Sequence, residues 1–362
     1  MQDMQALNQS INVPLFFKIG PGLSSKFCGI LDDCGVSYKS VLFLSGERIS
    51  AAIARKAAVT LPAAVRWQHL ILDEASEKNV LLAYEACRQN NIDLIVSVGG
   101  GSVIDVGKRV QRVYGIPNVV VPTVVSNDGL MSPISVLRGL DGNRESYPGA
   151  TPLGAVIDTE LIRLAPLRYM VAAAGDVLSN LSASIDWRRL HENGKADKFN
   201  DLAFHLSFGS AQSLIHFREI AFESDEFVEC IIRSQIYSGI AMSLAGSSRP
   251  CSGAEHLISH AIDHLDLAVP GALHGIQVGS IALFVLWLLR LDVESAILFA
   301  QKIGLPLDWR ELYPAVAPNM RAVLAMARVV RPGRSTILDD FSDDDLIKEC
   351  DEFHRMCIAL RG

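Results

Sequence analysis

Up to Asp158 the chain sets short, nearly continuous apolar runs between amphipathic stretches. The runs fall at 41–45, 69–72, 92–98, 119–122, 134–137 and 155–157, with helical patterns such as 50–59 and 77–90 between them. Strands lacking in–out alternation are buried on both faces, and strand–helix–strand order makes a parallel sheet covered by helices. After Asp158 the period changes. Apolar positions recur at helical spacing over 161–174, 177–190, 199–217, 227–245, 253–265 and 273–289, and no segment reads as a strand. The pattern predicts an α/β domain over 1–158 and an all-helical domain over 159–362, with Thr159 capping the first helix of the second. The acidic stretch LDDFSDDDLIKECDEF predicts a solvated helix whose Asp-rich start suits the helix dipole.

Composition narrows the class. Hydrophobic residues make up 49% of the 362 positions and charged residues 20%, which excludes a disordered chain, a collagen-like fibre and a disulfide scaffold. Aromatics are only 7%, so the core must come from Ala, Val, Ile and Leu. The net charge of −7 and the lack of long basic runs argue against nucleic-acid partners and a polybasic membrane patch. A small anionic substrate stays compatible, because a few converging cations suffice for it. The cysteines at 28, 34, 87, 230, 251, 350 and 357 form no CxxC or other metal spacing, which reads as reduced cytoplasmic thiols. The N-terminal MQDMQALNQS has no signal-peptide pattern. The apolar run 281–289 is too short to cross a bilayer and predicts a buried helix, so no membrane insertion is expected.

Three blocks carry chemistry. In the first, an apolar strand runs into Gly99-Gly100-Gly101-Ser102-Val103, and a helix follows from about Ser102. Glycines let a backbone approach a pyrophosphate, and the free N–H groups of a helix start can bind it. The dinucleotide pattern GxGxxG fails because position 104 is Ile. The phosphate-loop pattern fails at Ser102 and Arg109. A tight strand–helix turn and a less common phosphate cradle both remain. The second block, PTVVSNDGLMSP, follows another strand, so it opens at the same carboxyl edge, where open α/β sheets bind ligands. It offers the hydroxyls of Thr123, Ser126 and Ser132 and the carboxylate of Asp128, although Asn-Asp-Gly is also turn chemistry. In the third, His256, His260 and His264 recur every fourth residue, His274 opens another helix, and Asp176 lies among small apolar residues. One carboxylate and two imidazoles from three helices would make an open metal site. A lone histidine is more often structural than a ligand, so it is their grouping that points to chemistry.

Taken in order, GGGSVIDVGK, PTVVSNDGLMSPISVL, AGDVLSNLSASIDW, SGAEHLISHAIDH and HGIQVG resemble the sn-glycerol-1-phosphate dehydrogenases. These belong to the superfamily of iron-type alcohol dehydrogenases, glycerol dehydrogenase and dehydroquinate synthase. The resemblance implies a dehydroquinate-synthase-like fold: a Rossmann-like nucleotide-binding N-terminal domain and a metal- and substrate-binding helical domain. It implies that Gly99, Gly100, Gly101, Ser102 and Val103 hold the pyrophosphate of NAD or NADP, with Thr123, Ser126 and Ser132 lining the cofactor. Asp176, His256 and His274 would bind a divalent metal, usually zinc, though the same donors suit nickel or iron. Asp128 and His260 would act on the substrate, dihydroxyacetone phosphate, with Asp176 alongside, and a homo-oligomer, a dimer or larger, is expected. Two departures stand out: Asn127 replaces a His or Ser common in relatives, and the 18 positions from His256 to His274 are slightly long, which bears on loop 265–273 and the pocket mouth.

The chemistry agrees. Hydride transfer leaves negative charge on a carbonyl oxygen, which a divalent cation stabilises, and an imidazole with a pKa of about 6.5 can deliver the proton. A phosphorylated substrate calls for a cation, and Arg249, just before the metal helix, is the candidate clamp. Glu47, after the first strand, could accept from a ribose hydroxyl and would disfavour the 2′-phosphate of NADPH. His264 reads as a rim or structural residue and Cys251 as packing. Competing readings are a glycerol or alcohol dehydrogenase on an unphosphorylated substrate, a sugar phosphate cyclase of the dehydroquinate synthase kind, and a catalytically silent binding protein.

Overall fold

The computed structural model describes residues 12–195 and 198–360. The stretch MQDMQALNQS, read above for a targeting signal, lies outside the described residues. Six strands form one parallel sheet: β1 (Phe16–Gly20), β2 (Ser40–Ser45), β3 (Arg66–Ile71), β4 (Leu94–Gly99), β5 (Asn118–Pro122) and β8 (Gly154–Asp158). Their order across the sheet is β1-β8-β5-β4-β2-β3. β2, β4, β5 and β8 are buried along their whole length, as their unbroken apolar runs require. Helices α1 (Phe27–Asp33), α2 (Ile49–Ala58), α3 (Glu77–Asn90) and α4 (Gly101–Tyr114) make the crossovers. From β2 the chain moves outward to β3, then returns past β2 to β4 and β5. The direction therefore reverses between β2 and β4, and a crevice opens there at the carboxyl edge.

Two parts of the sheet differ from expectation. The run 134–137 is not a member of the parallel sheet. As β6 (Ile134–Arg138) it pairs antiparallel with β7 (Arg144–Pro148) in a separate hairpin against α4. β7 is RESYP, mostly exposed and without an apolar signal. β1, FFKIG, is a half-exposed edge strand that the apolar-run criterion also passes over.

Past Asp158 every described element is helical: α5 (Thr159–Arg163), α6 (Leu167–Glu192), α7 (Asp201–Ile215), α8 (Asp225–Ala245), α9 (Ala254–His264), α10 (His274–Leu288), α11 (Glu294–Lys302), α12 (Met320–Val329) and α13 (Asp343–Ala359), with short 3-10 turns. The cap of α5 is Asp158, whose carboxylate accepts from Glu160 N, and not Thr159. The two helices expected at 161–174 and 177–190 are the short α5 and one continuous α6 running through Gly175 and Asp176. α13 opens on three Asp residues behind the Ser342 cap, yet it buries Leu346, Cys350, Phe353 and Cys357, so only one face is solvated. The run 281–289 lies in the buried α10, and no helix among the described residues is long and apolar enough to cross a membrane. One core cluster extends from Val120, Ala155 and Ile157 of the sheet through α6, α9 and α10 to α13.

Candidate active site

The glycine turn joins β4 to α4 at the crevice. A Cβ on Gly99 would lie 2.8 Å from Val103 Cγ2, so this glycine is required by the tightness of the turn itself. Gly101 is different: a Cβ there would meet nothing within 4 Å, so the start of α4 opens toward free space, where a phosphate could approach the backbone. Gly107 brings α4 down onto the sheet, where a Cβ would sit 2.8 Å from Asn118 Nδ2. Thr123 N donates to Gly99 O at 3.0 Å, which ties the turns after β4 and β5 together. Toward β2 and β3 a cleft of about 370 Å³ is lined by Gly46, Glu47, Leu72, Asp73, Glu74, Ser102 and Val103.

Asp176, His256 and His274 come from α6, α9 and α10 and each bring one ligand atom within 4.8 Å of the others. Small residues allow this approach. A Cβ on Gly279 of α10 would fall 2.6 Å from Gly175 Cα, and one on Gly275 would fall 2.9 Å from Ser126 O. The start of α10 is thus wedged against both α6 and the turn after β5, which sets His274 beside that turn. His260 completes the group, its ring centroid 6.0 Å from that of His274 and 6.4 Å from that of His256. His264 is exposed at the end of α9.

Hydrogen bonds aim the donors inward. His256 Nδ1 pairs with Glu255 Oε1 at 2.9 Å, leaving Nε2 for a ligand. Ser259 donates to Gln277 Oε1 at 2.5 Å, so its oxygen is left to accept from His274 Nδ1 at 3.4 Å. Burial pushes the imidazoles of His256 and His274 down to about 3, so both are neutral and able to ligate. Asp176 accepts from Asp128 N through Oδ2 at 2.8 Å, whereas its buried Oδ1 has no partner among the described residues. Burial, with Asp128 nearby, raises the Asp176 carboxyl well above its ordinary range, a cost that an adjacent cation would remove. An orphaned carboxylate oxygen beside two inward-facing neutral imidazoles fits a divalent cation.

Asp128 sits in a one-turn helix capped by Asn127, whose Oδ1 accepts from Gly129 N at 3.0 Å. Asn127 therefore shapes the turn and does not bond the Asp128 carboxylate. Lys108, fully buried, donates to Gly129 O at 2.7 Å and Ser132 Oγ at 3.3 Å and pairs with Asp105 at 2.9 Å. Burial raises Asp128 to about 7, against the lowering effect of Lys108. His260 does not keep the ordinary value assumed from sequence. Burial, then His274 and Arg331, push it down to about 2. The thiol of Cys251 is buried against Ser207 Oγ and Ser238 O, with its pKa pushed well up by burial, as packing demands.

Arg249 donates through Nη1 to Ser335 O at 2.7 Å. The arginines whose charge bears on the histidines are Arg331 and Arg334, in the turn after α12. Sequence reasoning passed over both, and the only local signal is the R-P-G-R turn itself. It also passed over Lys108 and Glu255, although both stand inside the motifs quoted for the resemblance.

A parallel-sheet nucleotide crevice facing a helical Asp–His–His cluster defines the class of iron-type dehydrogenases, and the family model for iron-containing alcohol dehydrogenase matches residues 18–166. A probable glycerol dehydrogenase from Sinorhizobium meliloti shares the fold with a TM-score of 0.75 at 24% identity, covering 96% of this chain and 99% of that one. The glycerol-1-phosphate dehydrogenase [NAD(P)+] of Thermococcus sibiricus is 36% identical over 316 residues, 87% of this chain and 88% of that protein. The protein of that name from Pyrococcus furiosus is 38% identical over 285 residues, 78% and 80% of the two chains. The chain belongs to the glycerol-1-phosphate dehydrogenase family.

Proposed function

We propose that this protein reduces dihydroxyacetone phosphate to sn-glycerol 1-phosphate, using NADH or NADPH and one divalent cation, zinc, nickel or iron. The meeting of Asp176, His256 and His274 beside the Asp128 turn carries the reading, in a chain whose relatives bear the name glycerol-1-phosphate dehydrogenase. In this reading the division falls after residue 158, with the dinucleotide on the sheet side and the cation and substrate on the helical side. Gly99 to Val103, Thr123, Ser126 and Ser132 hold the dinucleotide, and Asp176, His256 and His274 hold the cation. When bound, the cation supplies Lewis acidity to the substrate carbonyl and the nicotinamide supplies the hydride.

The chain's own groups handle the proton. His260 is neutral at physiological pH, so it passes a proton between its ring nitrogens and does not store one. Asp128, whose carboxyl burial raises and whose backbone N–H bonds Asp176, is the acidic group placed beside the cluster to exchange a proton with the substrate. Lys108 keeps Asp128 in place by bonding the turn just after it, at Gly129 O and Ser132 Oγ. Glu47, Asp73 and Glu74 crowd the cleft at the adenosine end with negative charge, which favours NADH over NADPH. Assembly as a homo-oligomer is in keeping with the exposed Trp67 and Ile71 on edge strand β3.

One cuvette tests the reading. Mixing zinc-loaded protein, NADH and dihydroxyacetone phosphate should oxidise NADH stoichiometrically, a chelator should stop the reaction and zinc should restore it. NADPH should react with a higher KM. No oxidation with either cofactor sinks the proposal, and phosphate release without net oxidation from a longer sugar phosphate supplied in place of dihydroxyacetone phosphate points to a cyclase.

A further inference from the structure

The cation required by a phosphorylated substrate has a better candidate than Arg249. Arg331 and Arg334, after α12, lie beside the histidine cluster, and Arg249, before α9, lies beside Arg334. Two of them are fastened to the protein. Arg334 donates to Ser252 O, Ser252 Oγ and Ser248 Oγ, each at 2.9 Å, and Arg249 holds the Ser335 carbonyl. The nearby carboxylate, Glu255, is engaged by Gly253 N, Ser182 and His256 and does not pair with this group. Arg331 is half-buried, yet its guanidinium makes no hydrogen bond and no ion pair among the described residues, only its backbone carbonyl accepting from Arg334 N at 3.2 Å. Its charge acts on all three clustered imidazoles, His256, His260 and His274. A partly desolvated guanidinium with its donors unspent, backed by a second one locked in place, is a costly arrangement unless an anion completes it.

We infer that Arg331, backed by Arg334, binds the phosphate of a phosphomonoester substrate whose carbonyl end lies at the Asp176–His256–His274 cluster, while Arg249 fastens the arginine turn through Ser335. The inference rests on the reading of this site as a phosphotriose reductase and identifies what makes it select the phosphorylated substrate. Guanidinium suits this task better than ammonium because its planar fork pairs with two phosphate oxygens at once.

The test uses zinc-loaded protein with Arg331→Ala and Arg331→Lys. The Arg331 side chain supports no neighbouring group and repels Arg334, so neither variant should melt below the wild-type temperature. Losing a partly desolvated charge-assisted pair should lower the ratio of kcat/KM for dihydroxyacetone phosphate to that for dihydroxyacetone by about 100-fold in Arg331→Ala, mostly through KM. The lysine variant should recover part of the loss. Calorimetric titration with inorganic phosphate separates this inference from the activity. Weaker phosphate binding in Arg331→Ala supports the anion site even if wild-type protein fails to oxidise NADH, in which case only the reductase reading falls. Phosphate binding unchanged by Arg331→Ala, or a ratio that does not move, overturns the inference whatever the wild-type activity.

Discussion

Glu255 has no exposed atom to advertise it, yet three donors converge on it: Gly253 N at 2.6 Å, Ser182 Oγ at 2.9 Å and His256 Nδ1 at 2.9 Å. Burial raises its pKa to about 7, so the fold carries a cost to keep this carboxylate behind the imidazole. Glu255→Gln should weaken zinc binding by about 10- to 100-fold, read by competition with a chromophoric chelator. Unchanged affinity would show that His256 needs no such partner. At this scale the motifs were partly legible. Asp176, His256 and His274 stand in distinctive small-residue blocks, whereas Arg331 and Arg334 form no pattern with anything nearby and meet the histidines only through the packing of α12 on α9.

The α6–α10 pair is the element on which the cluster depends. Gly175 and Gly279 face each other so closely that Gly279→Ala would set a Cβ 2.6 Å from Gly175 Cα. Forcing the helices apart should cost about 1–3 kcal/mol, measurable as a lower denaturant midpoint, and should loosen metal binding because Asp176 follows Gly175. An unchanged midpoint would contradict the close approach. The apolar period reads as two stretches, 161–174 and 177–190, with the gap at Gly175 and Asp176, where a glycine costs an isolated helix about 1 kcal/mol relative to alanine. The structure keeps α6 whole because the missing side chain admits α10. The β6–β7 hairpin was misjudged for a related reason. An apolar run states that a strand is buried but not which partner it pairs with, and the polar partner β7 leaves no hydrophobic trace.

Across the whole molecule, one core cluster joins β5 and β8 to α6, α9 and α10, so the histidine cluster is packed against the sheet as well as among helices, while β2 and β4 at the crevice pack in two further clusters. A cation gripped by α6, α9 and α10 should therefore stabilise the entire fold. Ligand at 100 times its Kd contributes about 2.7 kcal/mol, so chelation should lower the thermal midpoint by several degrees and zinc should restore it. A midpoint indifferent to both would mean that the three donors do not bind metal in the native protein.

The sequence by itself determined the alternation of the buried strands with helices, the change of character after Asp158, the glycine turn and the Asp and His residues that come together in the cluster. Hydrophobic period and backbone chemistry act locally, and each leaves its mark within a few residues. Strand partners, the continuity of α6, the depressed His260 and the arginine turn beside the histidines were decided only by tertiary structure. Pairing, desolvation and charge proximity are set by distances through space between segments far apart in the chain.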